Sequence, residues 1–100
     1  EQSIEFINNY YMKPIKINDI ASYIGVNRSY LTSIFKQKLN ISPQEFLMNF
    51  RMEKASHQLM NSNQPINEIA KSVGYPDPFA FSKVFRKIYG KSPKQYRETK

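Results

Sequence analysis

Arg28, Ser29, Thr32, Ser33 and Lys36 recur at spacings of one, three and four residues. That spacing puts side chains on one face of a helix. Fifty residues later Phe79, Ser82, Lys83, Arg86 and Lys87 repeat it, with Pro78 and Ala80 beside them. Both faces carry cations and hydroxyls, the second adds an aromatic ring, and neither holds a carboxylate. A merely solvated face mixes charge signs, and a ring left in water calls for a partner. Cations meet guanine acceptors, short hydroxyls meet several base edges, and an apolar ring meets a thymine methyl. The chemistry these residues suit is therefore recognition of duplex nucleic acid. The competing expectation for Phe79 alone is that its ring folds back into the core.

Bond-making chemistry finds little support. His57 is the only histidine, set between Ser56 and Gln58, and cysteine is absent. A lone histidine is more often a surface or half-buried side chain than a catalyst, and a metal site needs more ligands. Three glycines cannot build a Gly-rich phosphate loop. The expectation is a non-enzyme with no catalytic, metal or cofactor residues.

The elements that must position the two faces come from an internal repeat. INDIASYIG (17–25) returns as INEIAKSVG (66–74) at an offset of 49, and FKQKLNISPQEF (35–46) as FRKIYGKSPKQY (85–96) at an offset of 50. Each unit reads as helix, turn, helix and stop. Ile20, Ala21 and Ile24 stripe one short helix, and Ile69, Ala70 and Val73 stripe its repeat. Gly25 and Gly74 end them, where a left-handed residue closes a helix. A second helix follows Asn27 in one unit and Asp77 in the other, both good N-caps, with Pro78 at a first helical position. Its core face is Leu31, Ile34, Phe35 and the stem of Lys38, matched by Phe81, Val84, Phe85 and Ile88.

Ser42-Pro-Gln-Glu45 and Ser92-Pro-Lys-Gln95 both have capping-box spacing. The first opens one helix from about residue 43 to 61, with an apolar stripe of Leu47, Phe50, Met52, Ala55 and Leu59. It should span about 28 Å. An opening helix over 2–12 carries Ile4, Phe6, Ile7, Tyr10 and Tyr11. No stretch alternates as a strand would. The fold class expected is all-α with seven helices, organised as a first helix-turn-helix subdomain (1–42), a linker helix (43–62) and a second subdomain (63–100). Two such units reach successive major-groove segments if they sit about 34 Å apart along the duplex. The first helices' N-termini, near Asn18 and Asn67, are candidates for phosphate contacts.

Charge and size agree with that reading. Fifteen Lys and Arg against eight Asp and Glu give +7 in 100 residues. Residues 1–50 hold five basic and four acidic groups (+1), and residues 51–100 hold ten and four (+6). Ile, Leu, Val and Phe make up 25 residues, enough for a small core. No apolar run reaches the roughly 20 residues of a membrane span. The opening EQSIEFINNYY has neither an initiator Met nor a signal peptide, which fits a domain cut from a longer protein. Lys83 to Lys100 carries seven cations to one Glu98, so an acidic membrane surface is the rival partner. A surface helix, however, needs no duplicated turn with matched glycines.

IAKSVGYPDPFAFSKVFRKIYGKSPKQYR (69–97) resembles the signature of the AraC/XylS family of bacterial transcription regulators. INDIASYIGVNRSYLTSIFKQKLNISPQEF (17–46) is similar to that family's first helix-turn-helix. The resemblance covers roughly 4–97. It implies a seven-helix, sequence-specific double-stranded DNA-binding domain of a cytoplasmic regulator, usually following a sensing or receiver domain. It places base contacts at Ser29, Thr32 and Ser33, and at Pro78, Phe79, Ala80, Ser82 and Lys83. Promoter or operator DNA and RNA polymerase are the partners expected, with the isolated domain monomeric and a parent protein dimeric through an N-terminal domain. Two positions depart from the family. Pro78-Phe79 stands where polar or tyrosine-type residues are common, and Asn40 where a glycine commonly precedes Ser-Pro.

Overall fold

The computed structural model describes residues 2–100. Among them the chain forms seven α-helices and no strand: α1 (Gln2–Tyr10), α2 (Ile17–Ile24), α3 (Arg28–Leu39), α4 (Pro43–Asn61), α5 (Ile66–Ser72), α6 (Pro78–Tyr89) and α7 (Pro93–Arg97). The expected class holds, with α1 stopping at Tyr10 rather than running on to 12.

Side-chain caps start most of these helices. Asn27 Oδ1 accepts from the Tyr30 N–H at 2.8 Å, and Asp77 Oδ1 from the Phe79 N–H at 2.9 Å. Ser42 Oγ accepts from the Glu45 N–H at 3.1 Å. Ser92 Oγ accepts from the Gln95 N–H at 3.1 Å, while Gln95 Oε1 takes the Ser92 N–H at 3.0 Å. Of the two expected boxes, then, the second closes in both directions and the first supplies its serine half. Each satisfied orphan N–H is worth about 0.5–2 kcal/mol.

Both short helices end in one hydrogen-bond pattern. Gly25 N–H donates to Ser22 O (3.2 Å) and Val26 N–H to Ala21 O (2.9 Å). Gly74 N–H donates to Lys71 O (3.1 Å) and Tyr75 N–H to Ala70 O (2.8 Å). These are paired Schellman closures, and they need a left-handed residue. Gly25 and Gly74 supply it at φ +78° and +97°. The duplication in sequence is thus a duplication of backbone turns. Ala21 and Ala70, buried under the turns, let the second helix of each pair pack closely.

Two hydrophobic clusters form the interior. One gathers Ile7, Ile17, Ile20, Ala21, Leu31, Phe35 and Leu47. The other gathers Met52, Ala55, Leu59, Ile69, Ala70, Val73, Phe81 and Phe85. Helix α4 contributes to both, Leu47 to the first and three residues to the second. Rings extend the second cluster: Phe85 stacks on Tyr89 (centroids 4.6 Å apart) and meets Tyr96 edge-on (5.3 Å). Arg97 secures α7 to the end of α4, its Nε donating to Leu59 O at 3.1 Å and Nη2 to Ser62 O at 3.3 Å.

The joint between the clusters is built around Arg51. Its Nε donates to Tyr11 O (2.8 Å) and Nη2 to Lys13 O (2.9 Å), gripping the loop after α1. Its guanidinium carbon lies 5.7 Å from the centre of the Tyr75 ring, on the turn before α6. Tyr11 packs beside both clusters and meets Phe50 edge-on at 5.3 Å. A Cβ on Gly74 would stand 2.8 Å from the Tyr11 carbonyl oxygen. The two halves therefore touch backbone to backbone, with one arginine across the seam. The molecule measures 42 × 23 × 21 Å.

Candidate nucleic-acid interface

The buried faces of α3 and α6 determine which faces remain free. Leu31 and Phe35 are buried in α3, Phe81 and Phe85 in α6, and Ile34 and Val84 are half-buried beside them. The two remaining members of that expected face behave differently. Lys38 is exposed, and Ile88, next to the half-buried Tyr89 that ends α6, is 36% exposed.

On the opposite side of α3, Arg28, Ser29, Thr32, Ser33 and Lys36 are all exposed. On α6, Phe79, Ala80, Lys83, Arg86 and Lys87 are exposed, while Pro78 and Ser82 are half-buried at the flank. Phe79 is 84% exposed, which removes the reading in which its ring folds inward. The cap geometry explains this. Asp77 fixes the Phe79 N–H, and Pro78 occupies the first helical position, so α6 starts with residue 79 directed away from buried Phe81.

Two positions escaped sequence reading. Applying the 50-residue offset backwards from Ala80 and Lys87 gives Tyr30 and Gln37, both exposed on α3. Tyr30 is 56% exposed. The repeat itself points to the position, as the partner of Ala80. Tyr23 on α2 is likewise 60% exposed, its ring 4.7 Å from that of Phe6. The only ion pair found among the described residues joins Lys71 to Glu68 at 3.9 Å, so no described acidic residue pairs with the cations of α3 and α6. His57 is exposed on α4, where its Nδ1 lies 2.8 Å from Asn61 Nδ2. Among the described residues no helix is long and apolar enough to cross a membrane.

Where the first half, α4 and the turn before α6 meet lies a cleft of about 390 Å³, lined by residues that include Lys16, Asn18 and Arg28 from the first half, Gln44 and Arg51 from α4, and Tyr75 from the second half. Burial lowers the pKa of Arg51 below the ordinary arginine value, an effect the neighbouring Tyr75 opposes.

Comparison with known proteins agrees with this architecture. A family model described as a helix-turn-helix domain matches residues 20–99. The chain is similar to the lactose operon transcription activator of Staphylococcus xylosus, 39% identical over 97 residues that make up 97% of this chain and 35% of that protein. The chain thus spans about a third of the length of the curated relatives it matches. Among solved structures it is similar to the C-terminal domain of AraT, a response regulator from Geobacillus stearothermophilus. There the TM-score is 0.94 at 36% identity, over 98% of this chain and 82% of that one. The DNA-binding domain of AdpA, solved in complex with a target DNA, shares the fold at TM-score 0.92 and 22% identity, over 97% of this chain and 87% of that one. Duplicated turns, two outward helix faces and these matches converge: the chain belongs to the AraC-type helix-turn-helix family of transcription regulators.

Proposed function

We propose that this chain is the DNA-reading part of a bacterial, cytoplasmic transcription regulator, and that it lays α3 and α6 into successive major-groove segments of one promoter or operator. The observation that carries the reading is the pair of repeat-related helix faces, exposed, cationic and free of carboxylate, with the Phe79 ring 84% in solvent. Base contacts are assigned to Ser29, Thr32 and Ser33 on α3 and to Pro78, Phe79, Ala80, Ser82 and Lys83 on α6. Arg28, Lys36, Arg86 and Lys87 hold phosphate or guanine at the edges of each groove.

In this arrangement the chain divides at 1–42, 43–62 and 63–100, with α4 keeping the two readers at a set distance. The 42 Å length of the molecule accommodates two elements separated by about 34 Å, one turn of duplex. The isolated domain binds as a monomer, and RNA polymerase is the downstream partner. Any dimerisation belongs to an N-terminal domain of the parent protein.

The test is a fluorescence-anisotropy titration of duplex DNA across a range of salt. The log of affinity should fall with the log of salt at about −0.9 per phosphate neutralised. A flat salt response would remove DNA as the partner. Anionic vesicles in a parallel titration should bind far more weakly.

A further inference from the structure

Six polar or aromatic residues meet in the cleft beside the start of α3, and the base-reading faces include only one of them. Arg28 opens α3, and Tyr75 sits three residues before the start of α6, so the cleft lies between the N-terminal ends of the two candidate readers. Those ends are what a helix-turn-helix presses deepest toward the duplex. Lys16 and Asn18, at the N-terminus of α2, form the near wall with Arg28, and Gln44 and Arg51 of α4 line it with them.

The electrostatics of the cleft are one-sided. Lys16, Arg28 and Arg51 line it, and no carboxylate does. The Asp19 carboxylate, one turn along α2, is taken up by the Lys16 N–H at 2.7 Å. Arg51 is half-buried, yet its Nε and Nη2 donate to neutral carbonyls, those of Tyr11 and Lys13, and the ring beside its guanidinium is that of Tyr75. A partly desolvated cation without a counter-charge favours an incoming anion more than a fully hydrated one does. The residue capping α2 is Lys16, whose ammonium cannot accept a hydrogen bond; the Asp19 N–H is met by the Lys16 carbonyl at 2.9 Å, and the Lys16 side chain itself claims no first-turn N–H.

We infer that this cleft is an anion site for a phosphodiester group of the DNA backbone, held by Lys16, Arg28 and Arg51 midway between the two major-groove elements. Two helices that enter successive major grooves on one side of a duplex straddle the minor groove between them. The strands bordering that groove then run past the cleft. A phosphate there is bound whatever the base sequence, so the cleft sets register and affinity and leaves base choice to α3 and α6.

This inference rests on the DNA-binding reading, and its test separates the two. Lys16→Gln removes one cation from the cleft without touching either reading face or the Lys16 N–H. Gln44→Glu places a carboxylate in the cleft. Circular dichroism and melting of both variants verify the fold. With a duplex recovered by binding-site selection, Lys16→Gln should lower the steepness of the salt dependence by about one unit. Both variants should weaken all sequences equally and return the wild-type motif on selection. Methylphosphonate linkages, placed singly along the stretch between the two elements, should weaken the wild type at one or two adjacent positions. The same linkages should cost Lys16→Gln much less.

If the wild type binds with normal salt dependence but Lys16→Gln keeps its slope and no central linkage matters, the cleft is not a phosphate site. Saturation of the cleft by inorganic phosphate, followed by the Asn18 and Gln44 amide resonances, without any central methylphosphonate effect would assign it to a free anion and overturn the DNA assignment. A wild type without salt-dependent duplex binding overturns both readings.

Discussion

Gly25, Gly74 and Gly90 all have a positive φ, but their surroundings separate them. A Cβ on Gly25 or Gly90 would meet nothing within 4 Å, whereas on Gly74 it would strike the Tyr11 carbonyl and the Arg51 guanidinium. Gly25→Ala should therefore cost the left-handed strain alone, about 1–2 kcal/mol. Gly74→Ala adds a backbone clash across the seam and should cost more, by at least about 1 kcal/mol. For a domain of this size each kcal/mol lowers the melting temperature by about 4–8 °C, so paired melts resolve the difference. Equal melting temperatures would show that the seam yields at no cost. Recognition has its own residue-scale prediction. Phe79→Ala and Lys83→Ala should each relax base preference by about 1–3 kcal/mol at one position of the selected site, while Lys94→Ala, outside α6, weakens all sequences alike. If both α6 variants select the wild-type motif, that helix does not read bases.

Helix ends carry the element-scale arguments. Asn40 closes α3 at φ +62°, where the second unit uses Gly90 to close α6 at +74°. Asparagine tolerates that conformation better than other residues with a Cβ, which is how the first turn works without the glycine common in the family. Asn40→Gly should leave stability nearly unchanged, and Asn40→Ala should lose about 1 kcal/mol in chemical denaturation. At the other end of the chain, Ser92→Ala breaks a box closed in both directions and should cost about 1–2 kcal/mol. Ser42→Ala breaks a single bond at the start of α4 and should cost less. A larger loss at Ser42 would mean that α4 needs its first turn more than α7 does.

At the scale of the whole molecule, the question is whether the two readers move together. Helix α4 belongs to both clusters, and Arg51 ties the loop after α1 to the turn before α6, so two separate ties, one helix and one side chain, join the halves that carry α3 and α6. Their faces differ, with Ser29, Thr32 and Ser33 set against Phe79, Ser82 and Lys83, so the DNA site should be asymmetric. Its two elements should lie about 10 bp apart. Inserting about half a helical turn between them should reduce specific binding to what one unit holds and leave the salt-sensitive, non-specific component. Arg51→Met should blunt this dependence on spacing more than it weakens binding to either element alone. Affinity indifferent to the insertion would mean that a single unit supplies the specificity.

Much of this was legible in the chain because it is written locally. The 49- and 50-residue offsets, the caps at Asn27, Ser42, Asp77 and Ser92, and the apolar stripes at helical spacing each depend on neighbours within a few residues. Those features determined seven helices, their order and which sides of α3 and α6 face outward. The same repeat, read backwards from Ala80 and Lys87, also points to Tyr30 and Gln37. What the sequence alone could not reveal depends on partners 38 to 63 residues away. Nothing in the local pattern around Arg51 says that its guanidinium meets the carbonyls of Tyr11 and Lys13, and φ preference alone does not say that Gly74 abuts Tyr11. The exposure of Ile88 and the cleft from Lys16 to Tyr75 have the same origin. Helix periodicity specifies which face of an element is apolar. How far the neighbouring element extends to cover it, and what space is left between them, is decided only when the two clusters close against one another.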